Sequence, residues 1–212
     1  GHSEGGIYLI ENTSINLKKM KISNCIGTNG PGIAGVYNDS VYISETLLLN
    51  NKGNYALRLS NTLGTQNKIF EYKNCIINNN APDNNPETAF GGGIILLGSL
   101  TPNTYTGKVI NFQITENLAA PDPIWPPGAA AGLIITDNAK VDLINSTISK
   151  NIVDGIEGSA VSVNKGAVLS VYNSILYGDS LYELSLGRAS GSPDPAIANV
   201  CYSNIEGGEA GV

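Results

Sequence analysis

The chain has 212 residues, of which 42% are hydrophobic and 14% are charged, and its net charge at pH 7 is -6. This composition supports a sizeable core and excludes a disordered tail. The negative charge and the lack of clustered Lys and Arg argue against nucleic-acid binding, and no apolar run reaches the ~18 residues typical of a membrane span.

The two ends of the chain indicate a piece of a longer protein. Residues 1–4 begin with Gly-His, which is typical of a tag or linker remnant, and no signal-peptide pattern follows. His2 is the only histidine and is therefore left out of any catalytic scheme. The last repeat stops part-way, so we expect a chain that is truncated at its C-terminal end and a parent protein with further domains.

Six short apolar phrases predict β-strands, because apolar and other residues alternate within them. The phrases are GIYLIE from Gly6, AGVYND from Ala34, YALRLSN from Tyr55, GIILLG from Gly93, GLIITD from Gly132 and AVSVNK from Ala160. The predicted inward side chains are Ile7, Leu9, Leu57, Leu59, Ile94, Leu96, Leu133, Ile135, Val161 and Val163. Those predicted to point outward are Tyr8, Arg58, Ile134 and Ser162.

A second phrase returns seven times, and six of its copies follow one of these strands. The copies are LKKMKISNCIGTN from Leu17, DSVYISETLLLNN from Asp39, KIFEYKNCIINNN from Lys68, KVINFQITENLAA from Lys108, VDLINSTISKN from Val141, VLSVYNSILYGDS from Val168 and IANVCYSNIEGGE from Ile197. Each unit is therefore predicted to contain a strand, a short turn, a second strand and a longer turn. A period of about thirty residues indicates a solenoid, in which neighbouring units bury the inward row together.

The residue types of the repeat indicate which kind of solenoid the chain forms. Ile, Val, Tyr, Thr and Asn are abundant and no helical periodicity occurs, which excludes helical repeats, and the frame of leucine-rich repeats is missing. We therefore predict an all-β, right-handed, single-stranded parallel β-helix of six to seven coils over residues 1–212, as one domain. Its coils would stack about 4.8 Å apart.

Asparagine recurs at one point of the second phrase. Asn24, Asn74, Asn145 and Asn173 are predicted to share one register, in which Asn side chains at a turn bond to backbone or to the Asn of the next coil. We interpret this ladder as structural. Cys25 and Cys75 would then share the next position two coils apart, at roughly 9–10 Å, which is beyond disulfide reach. All three cysteines are predicted to be reduced, buried and small apolar residues.

Three features of the sequence are shared with a known family: the glycine-led strands, the N-[SC]-x-I phrases, and NSILYGDSLYELSLG followed by VCYSNIEGG. In these features the chain resembles the pectin-lyase-like superfamily of right-handed parallel β-helix proteins. The resemblance implies a secreted or cell-surface bacterial protein. It does not by itself fix an activity, because the superfamily includes polysaccharide lyases, glycoside hydrolases, adhesins and proteins without known chemistry.

The motifs of the enzymes in that superfamily are mostly missing. Polygalacturonase-like hydrolases carry Asn-Thr-Asp, Asp-Asp, Gly-His-Gly and Arg-Ile-Lys segments, and none of them occurs in this chain. The lyases use Lys or Arg as a base, often with Ca²⁺. Arg58 and Arg188 are the only arginines and lie about five coils apart, but Arg58 beside Lys73 keeps a lyase open as an alternative. We predict no catalytic residue in this chain.

The long turns predict a ligand-binding surface. Ala-Pro-Asp occurs at Ala81 and at Ala120, seven residues after Asn74 and after Gln113 respectively, so Asp83 and Asp122 are expected to stack. The residues predicted to bind a ligand at these turns are Trp125, Asp122, Asp83, Glu87, Asp154 and Glu157. Tyr105, at the opposite turn, is predicted to be exposed and to bind the ligand as well. Aromatic faces beside carboxylates suit sugar rings. No cofactor is predicted, although Asp83, Asp122 and Asp154 are weaker candidates for binding Ca²⁺. The alternative to a ligand-binding role for Trp125 is that its side chain folds back as a hydrophobic lid on its own loop.

These observations predict a non-catalytic binding or adhesion module whose partner is a polysaccharide or glycan, with no membrane insertion of this chain. A carbohydrate-active lyase or hydrolase is the first alternative, and a structural surface scaffold is the second. The outward residues Ile95, Leu97 and Ile134 form an apolar strip that is expected to contact a partner, a neighbouring domain or a covering loop.

Overall fold

A computed structural model describes residues 5–28, 30–60, 68–82, 92–98, 105–120, 130–153, 159–180, 182–187 and 195–207. These residues form a right-handed parallel β-helix of about seven coils, as predicted. Within the same ranges no helix could cross a membrane.

Each complete coil contributes one strand to each of three seven-stranded parallel sheets. Sheet A contains β1 (Ile7–Ile10), β4 (Ile33–Val36), β7 (Leu57–Ser60), β10 (Ile94–Leu97), β14 (Ala130–Thr136), β18 (Ser159–Asn164) and β21 (Tyr182–Gly187). Sheet B contains β2 (Ile15–Lys18), β5 (Ser40–Ser44), β8 (Lys68–Lys73), β11 (Tyr105–Ile110), β15 (Ala139–Ile144), β19 (Val168–Tyr172) and β22 (Ile197–Cys201). Sheet C contains β3 (Lys21–Ser23), β6 (Leu47–Leu49), β9 (Ile76–Asn78), β12 (Gln113–Thr115), β16 (Thr147–Ser149), β20 (Ile175–Tyr177) and β23 (Asn204–Ile205). A two-stranded sheet pairs β13 (Leu118–Ala119) with β17 (Ile152–Val153).

A coil thus has three main strands, and the prediction of two was wrong. The second phrase of the repeat holds two strands, which meet at a corner residue with a left-handed backbone. Asn145, for example, has φ 50° and separates β15 from β16. Asn adopts this conformation more readily than most residues. The equivalent corner residues, all with positive φ, are Lys19, Glu45, Asn74, Asn111, Asn145, Asn173 and Tyr202.

The predicted register of Asn24 was also wrong. Ser23 pairs with Leu49, so Asn24 is level with Asn50 at the following corner, which ends sheet C. The first coil reaches its sheet B corner at Lys19, where no Asn marks the turn. Cys25 and Cys75 therefore occupy different corners. All three cysteines are free thiols as predicted, but only Cys75 is buried, while Cys25 is half-buried and Cys201 is exposed.

A buried amide ladder follows the corner that ends sheet C. It consists of Asn51, Asn80, Asn117 and Asn151, each at most 1% exposed. In every step the side-chain Oδ1 accepts hydrogen bonds from the backbone N–H and the Nδ2 of the residue one coil earlier. Each Nδ2 also donates to a backbone carbonyl of the preceding coil. Hydrogen bonds from Asn side chains to the backbone and to the Asn of the next coil are therefore present, as predicted. Most of them lie at the corner that ends sheet C, and not at the predicted corner between sheets B and C.

The core lies inside the three sheets. The predicted inward residues from Leu57 to Val163 are all at most 1% exposed, whereas Ile7 and Leu9 of the first coil are half-buried and pack against the same core. Four aromatic rings fill the middle coils: Phe70, Tyr72, Tyr105 and Phe112. Their neighbouring ring centroids are 4.9 to 6.3 Å apart, which is typical of packed aromatic pairs. This core fixes the orientation of the outward side chains.

Candidate functional site

Most of the predicted ligand-binding surface lies outside the described residues, namely Trp125, Asp122, Asp83, Glu87, Asp154 and Glu157. Tyr105 is described, and the prediction that it is exposed was wrong, because it is only 3% exposed. It is the first residue of β11, and strand alternation points it into the core together with Gly107 and Val109. Its ring centroid lies 4.9 Å from that of Phe70.

The predicted alignment of the two Ala-Pro-Asp segments was wrong, because it placed the second segment two residues out of register with the first. Asn111, and not Gln113, is the equivalent of Asn74, since the backbone N–H of Asn74 donates to Ile110 and the Nδ2 of Asn111 donates to Asn74 Oδ1. Further on, the N–H of Leu118 donates to the carbonyl of Asn80. Leu118, rather than Ala120, is therefore the residue that follows in register with Ala81.

The outward apolar strip on sheet A is largely covered by the chain itself. Ile95 and Ile134 are 8% and 5% exposed and cluster with Ala130, while Tyr55 and Leu97 pack against them. Tyr55 comes from the turn before β7, and Ala130 begins β14. Ile95 and Ile134 are therefore part of a small hydrophobic cluster outside the main core, rather than of an open contact surface.

The basic pair considered for a lyase does not share a strand face. Arg58 lies on β7 in sheet A, and Lys73 ends β8 in sheet B. The described residues also contain no group of three or more His, Cys, Asp and Glu that could hold a metal ion. The weaker Ca²⁺ candidates Asp83, Asp122 and Asp154 lie outside those residues.

A groove of about 420 Å³ crosses the outer face of sheet B over β2, β5 and β8. We call it the Tyr42 groove. Its volume lies within the range of small-molecule sites. It is lined by Asn16, Lys18, Tyr42, Ile43, Ser44, Glu45, Glu71, Lys73 and Asn74.

Strand alternation and parallel register together build the Tyr42 groove. In β5, Val41 and Ile43 point into the core, so Tyr42 points outward and is 39% exposed. The register places Asn16 on one side of Tyr42 and Glu71 on the other, one coil away in each direction. Neighbours in such a row are about 4.8 Å apart. The phenol ring therefore lies between an amide and a carboxylate.

A second row lies beside the first and carries positive charge. Lys18, Ser44 and Lys73 are paired in register across the same three strands. The ammonium group of Lys18 lies 3.3 Å from Glu45 in an exposed ion pair, which contributes less than ~1 kcal/mol. Among the described residues, Lys73 and Glu71 form no ion pair. The groove thus offers an aromatic face, one carboxylate and one ammonium group that are available to a ligand.

The sequence contained a signal for this site. Alternation in SVYIS and KIFEYK already puts Tyr42, Glu71 and Lys73 on outward positions. What was missing was the register between strands, which brings residues 26 or 29 positions apart next to each other in one row. The long turns, which carry Trp125 and the two Ala-Pro-Asp segments, are the more conspicuous feature of the sequence.

Comparison of the chain with protein-family models, with curated proteins and with solved structures gave no match.

Proposed function

We propose that this chain is a non-catalytic binding or adhesion module of an extracellular or cell-surface protein, and that it binds carbohydrate in the Tyr42 groove. The observation that carries the proposal is the exposed ring of Tyr42, held in register between Asn16 and Glu71 on a rigid sheet. The resemblance to the pectin-lyase-like superfamily supports the extracellular location.

The chemistry of the groove matches that of a sugar ring. The C–H groups of a pyranose pack on an aromatic face, and its hydroxyls exchange hydrogen bonds with carboxylates, amides and ammonium groups. All three polar groups flank Tyr42 within one coil. Parallel rows continue along the outer face of sheet B, where Lys108 pairs with Glu71 and Asp142 with Lys108. An extended glycan along the solenoid axis would meet these residues next.

The test is a glycan-array screen followed by affinity measurements on the glycans that bind. Tyr42→Ala is expected to weaken binding by about tenfold or more, as removal of an aromatic anchor does. Tyr177→Ala is the matched control, because Tyr177 is also exposed, at 55%, but lies on sheet C. Equal affinity of Tyr42→Ala and the wild type would refute the groove as the site.

A polysaccharide lyase is the alternative function, and Lys73 is the observation that favours it. Its amine lies in the same groove without an ion pair to any described residue, and lyases take a proton with a Lys or Arg base. Incubation with uronate polymers, followed by the absorbance of an unsaturated product, separates the two functions. Product that forms with the wild type and not with Lys73→Gln would establish the enzyme.

A further inference from the structure

The buried amide ladder ends in a carboxylate. Asp179 occupies the position that Asn occupies in the four preceding coils. Its Oδ1 accepts hydrogen bonds from the backbone N–H and the Nδ2 of Asn151, at 2.6 and 2.8 Å. These two donors leave Asp179 Oδ2 for another partner. That oxygen is buried, and no N–H or O–H group of the described residues is placed to donate to it.

A second carboxyl group lies against Asp179. Glu183 on β21 is only 4% exposed, and its Oε1 accepts the backbone N–H of Asp179 at 3.2 Å. Its other oxygen, Oε2, is likewise buried, and no donor group in the described part of the chain reaches it. Each carboxyl group thus has one buried oxygen without a donor, and two adjacent carboxylates repel each other. A single proton shared between them supplies the missing hydrogen bond and removes one of the two charges.

The groups around the pair do not neutralise it. Glu206, which follows β23, accepts the N–H of Gly178 at 2.7 Å and adds a third carboxylate. Lys150 precedes Asn151 in the neighbouring coil and forms no ion pair with the three acids within the described residues. Tyr177, which ends β20 just before Asp179, and Tyr182, which begins β21 just before Glu183, are both exposed. Burial, followed by the hydrogen bond with Asp179, raises the pKa of Glu183 to about 8, and burial also raises the pKa of Asp179.

We propose that Asp179 and Glu183 share one proton and form a pH-sensitive clamp, which ties β21 to the amide ladder most tightly in acidic solution and loosens progressively as the pH rises into the mildly alkaline range. Glu183 holds the proton, because the two donors from Asn151 favour the charged form of Asp179. When that proton is lost, two buried negative charges face each other at the end of the ladder.

The direction of the pH effect follows from the raised pKa. Between the ordinary pKa of 4.5 and about 8, closed Glu183 keeps a proton that the opened segment releases. The stability that the clamp contributes is therefore complete below this window and is lost as the pH rises through it. Within the window the equilibrium for opening β21 rises by up to about tenfold per pH unit.

The first test is a carbon-13 NMR titration of the Glu183 carboxyl group in the wild-type chain, with a chelator present to exclude bound cations. We expect a midpoint near 8. A midpoint in the ordinary range of a glutamate would overturn the proposal. Because no substitution is involved, this result does not depend on a variant that folds.

The second test follows hydrogen exchange of the β21 amides from pH 6 to 9, after division by the intrinsic exchange rates. Protection in the wild type is expected to fall at least tenfold more than in Asp179→Asn and Glu183→Gln. In both variants an amide donates the missing hydrogen bond at every pH, and Asp179→Asn retains a side-chain oxygen that accepts from Asn151. Asp142→Asn, on the outer face of β15, is the control and should behave as the wild type. Equal pH dependence in all four proteins would overturn the clamp.

Discussion

Asn80 and Asn117 lie one coil apart and are joined through a single oxygen: Oδ1 of Asn117 accepts the backbone N–H of Asn80 at 3.0 Å and its Nδ2 at 2.9 Å. Both residues are at most 1% exposed. A buried donor that loses its acceptor carries the full desolvation penalty. The ladder therefore stabilises the stacking of coils through polar contacts, in addition to the apolar core.

The first prediction concerns that ladder. Asn117→Ala removes the acceptor for two buried donors of Asn80 and leaves the carbonyl of Ile77 without its side-chain donor. We expect a loss of at least about 2 kcal/mol in the free energy of unfolding, measured by urea denaturation. Asn199→Ala, at an exposed position of β22, should change it by less than about 0.5 kcal/mol. A similar small effect of both substitutions would show that the ladder does not stabilise the fold.

The second prediction concerns the corners between sheets B and C. Asn145 has φ 50° and is exposed. Asn145→Val places a β-branched residue in the left-handed region and should destabilise the chain by about 1–2 kcal/mol, whereas Asn145→Gly should be close to neutral. Asp142→Val, on the neighbouring strand, controls for the valine itself. The account of the corner fails if Val is tolerated equally at positions 142 and 145.

The third prediction concerns the buried tyrosines. Burial raises the pKa of Tyr72 well above its ordinary value and does the same for Tyr105. In an alkaline titration of tyrosinate absorbance, these two rings should ionise late, above the ordinary range of a tyrosine. Because their pKa is raised in the folded state, the stability they contribute is present below about pH 10 and falls above it, by up to about 1.4 kcal/mol per pH unit for each ring.

Substitution identifies the late-ionising rings. Tyr72→Phe and Tyr105→Phe should each reduce the late-ionising amplitude. Simultaneous ionisation of all tyrosines in the folded protein would contradict the core position of Tyr72 and Tyr105.

The fourth prediction concerns charge in the Tyr42 groove and rests on the proposed function. Lys73→Gln should weaken the binding of acidic glycans by about tenfold at low salt and leave neutral glycans nearly unchanged, since its ammonium group forms no ion pair with the described residues. Glu71→Gln should not weaken the binding of acidic glycans, because it removes a negative charge from the groove. Lys140→Gln, on β15 beyond the groove, is the charge-matched control. Isothermal titration calorimetry at two salt concentrations measures these differences, and equal losses for Lys73→Gln and Lys140→Gln would contradict a role for the groove.

The fold could be predicted because its signal is local and repeated. Alternation in phrases such as LRLS and IILL identified the inward rows at Leu57, Leu59, Ile94 and Leu96, and the repeat implied stacking. The third strand was missed because a single left-handed residue such as Asn145 bends the chain without interrupting the apolar pattern. The register of Asn24 was missed because Lys19 occupies the equivalent corner in the first coil.

The candidate site could be predicted less well, because it depends on register between coils. Tyr42 lies in an ordinary alternating strand, and only its pairing with Asn16 and Glu71 gives it a polar setting. The Asp179 and Glu183 pair likewise arises because the amide ladder ends where a corner meets β21. Neither contact leaves a local motif, so single-sequence patterns directed attention to the conspicuous long turns instead.

The most direct test of the central claim is a chemical-shift map of the chain during titration with a glycan that binds. The account predicts that the largest changes occur at backbone amides of Asn16, Tyr42, Glu71 and Lys73, and that they vanish in Tyr42→Ala. Changes confined to other surfaces, including the predicted turn that carries Trp125, would contradict the Tyr42 groove as the carbohydrate site.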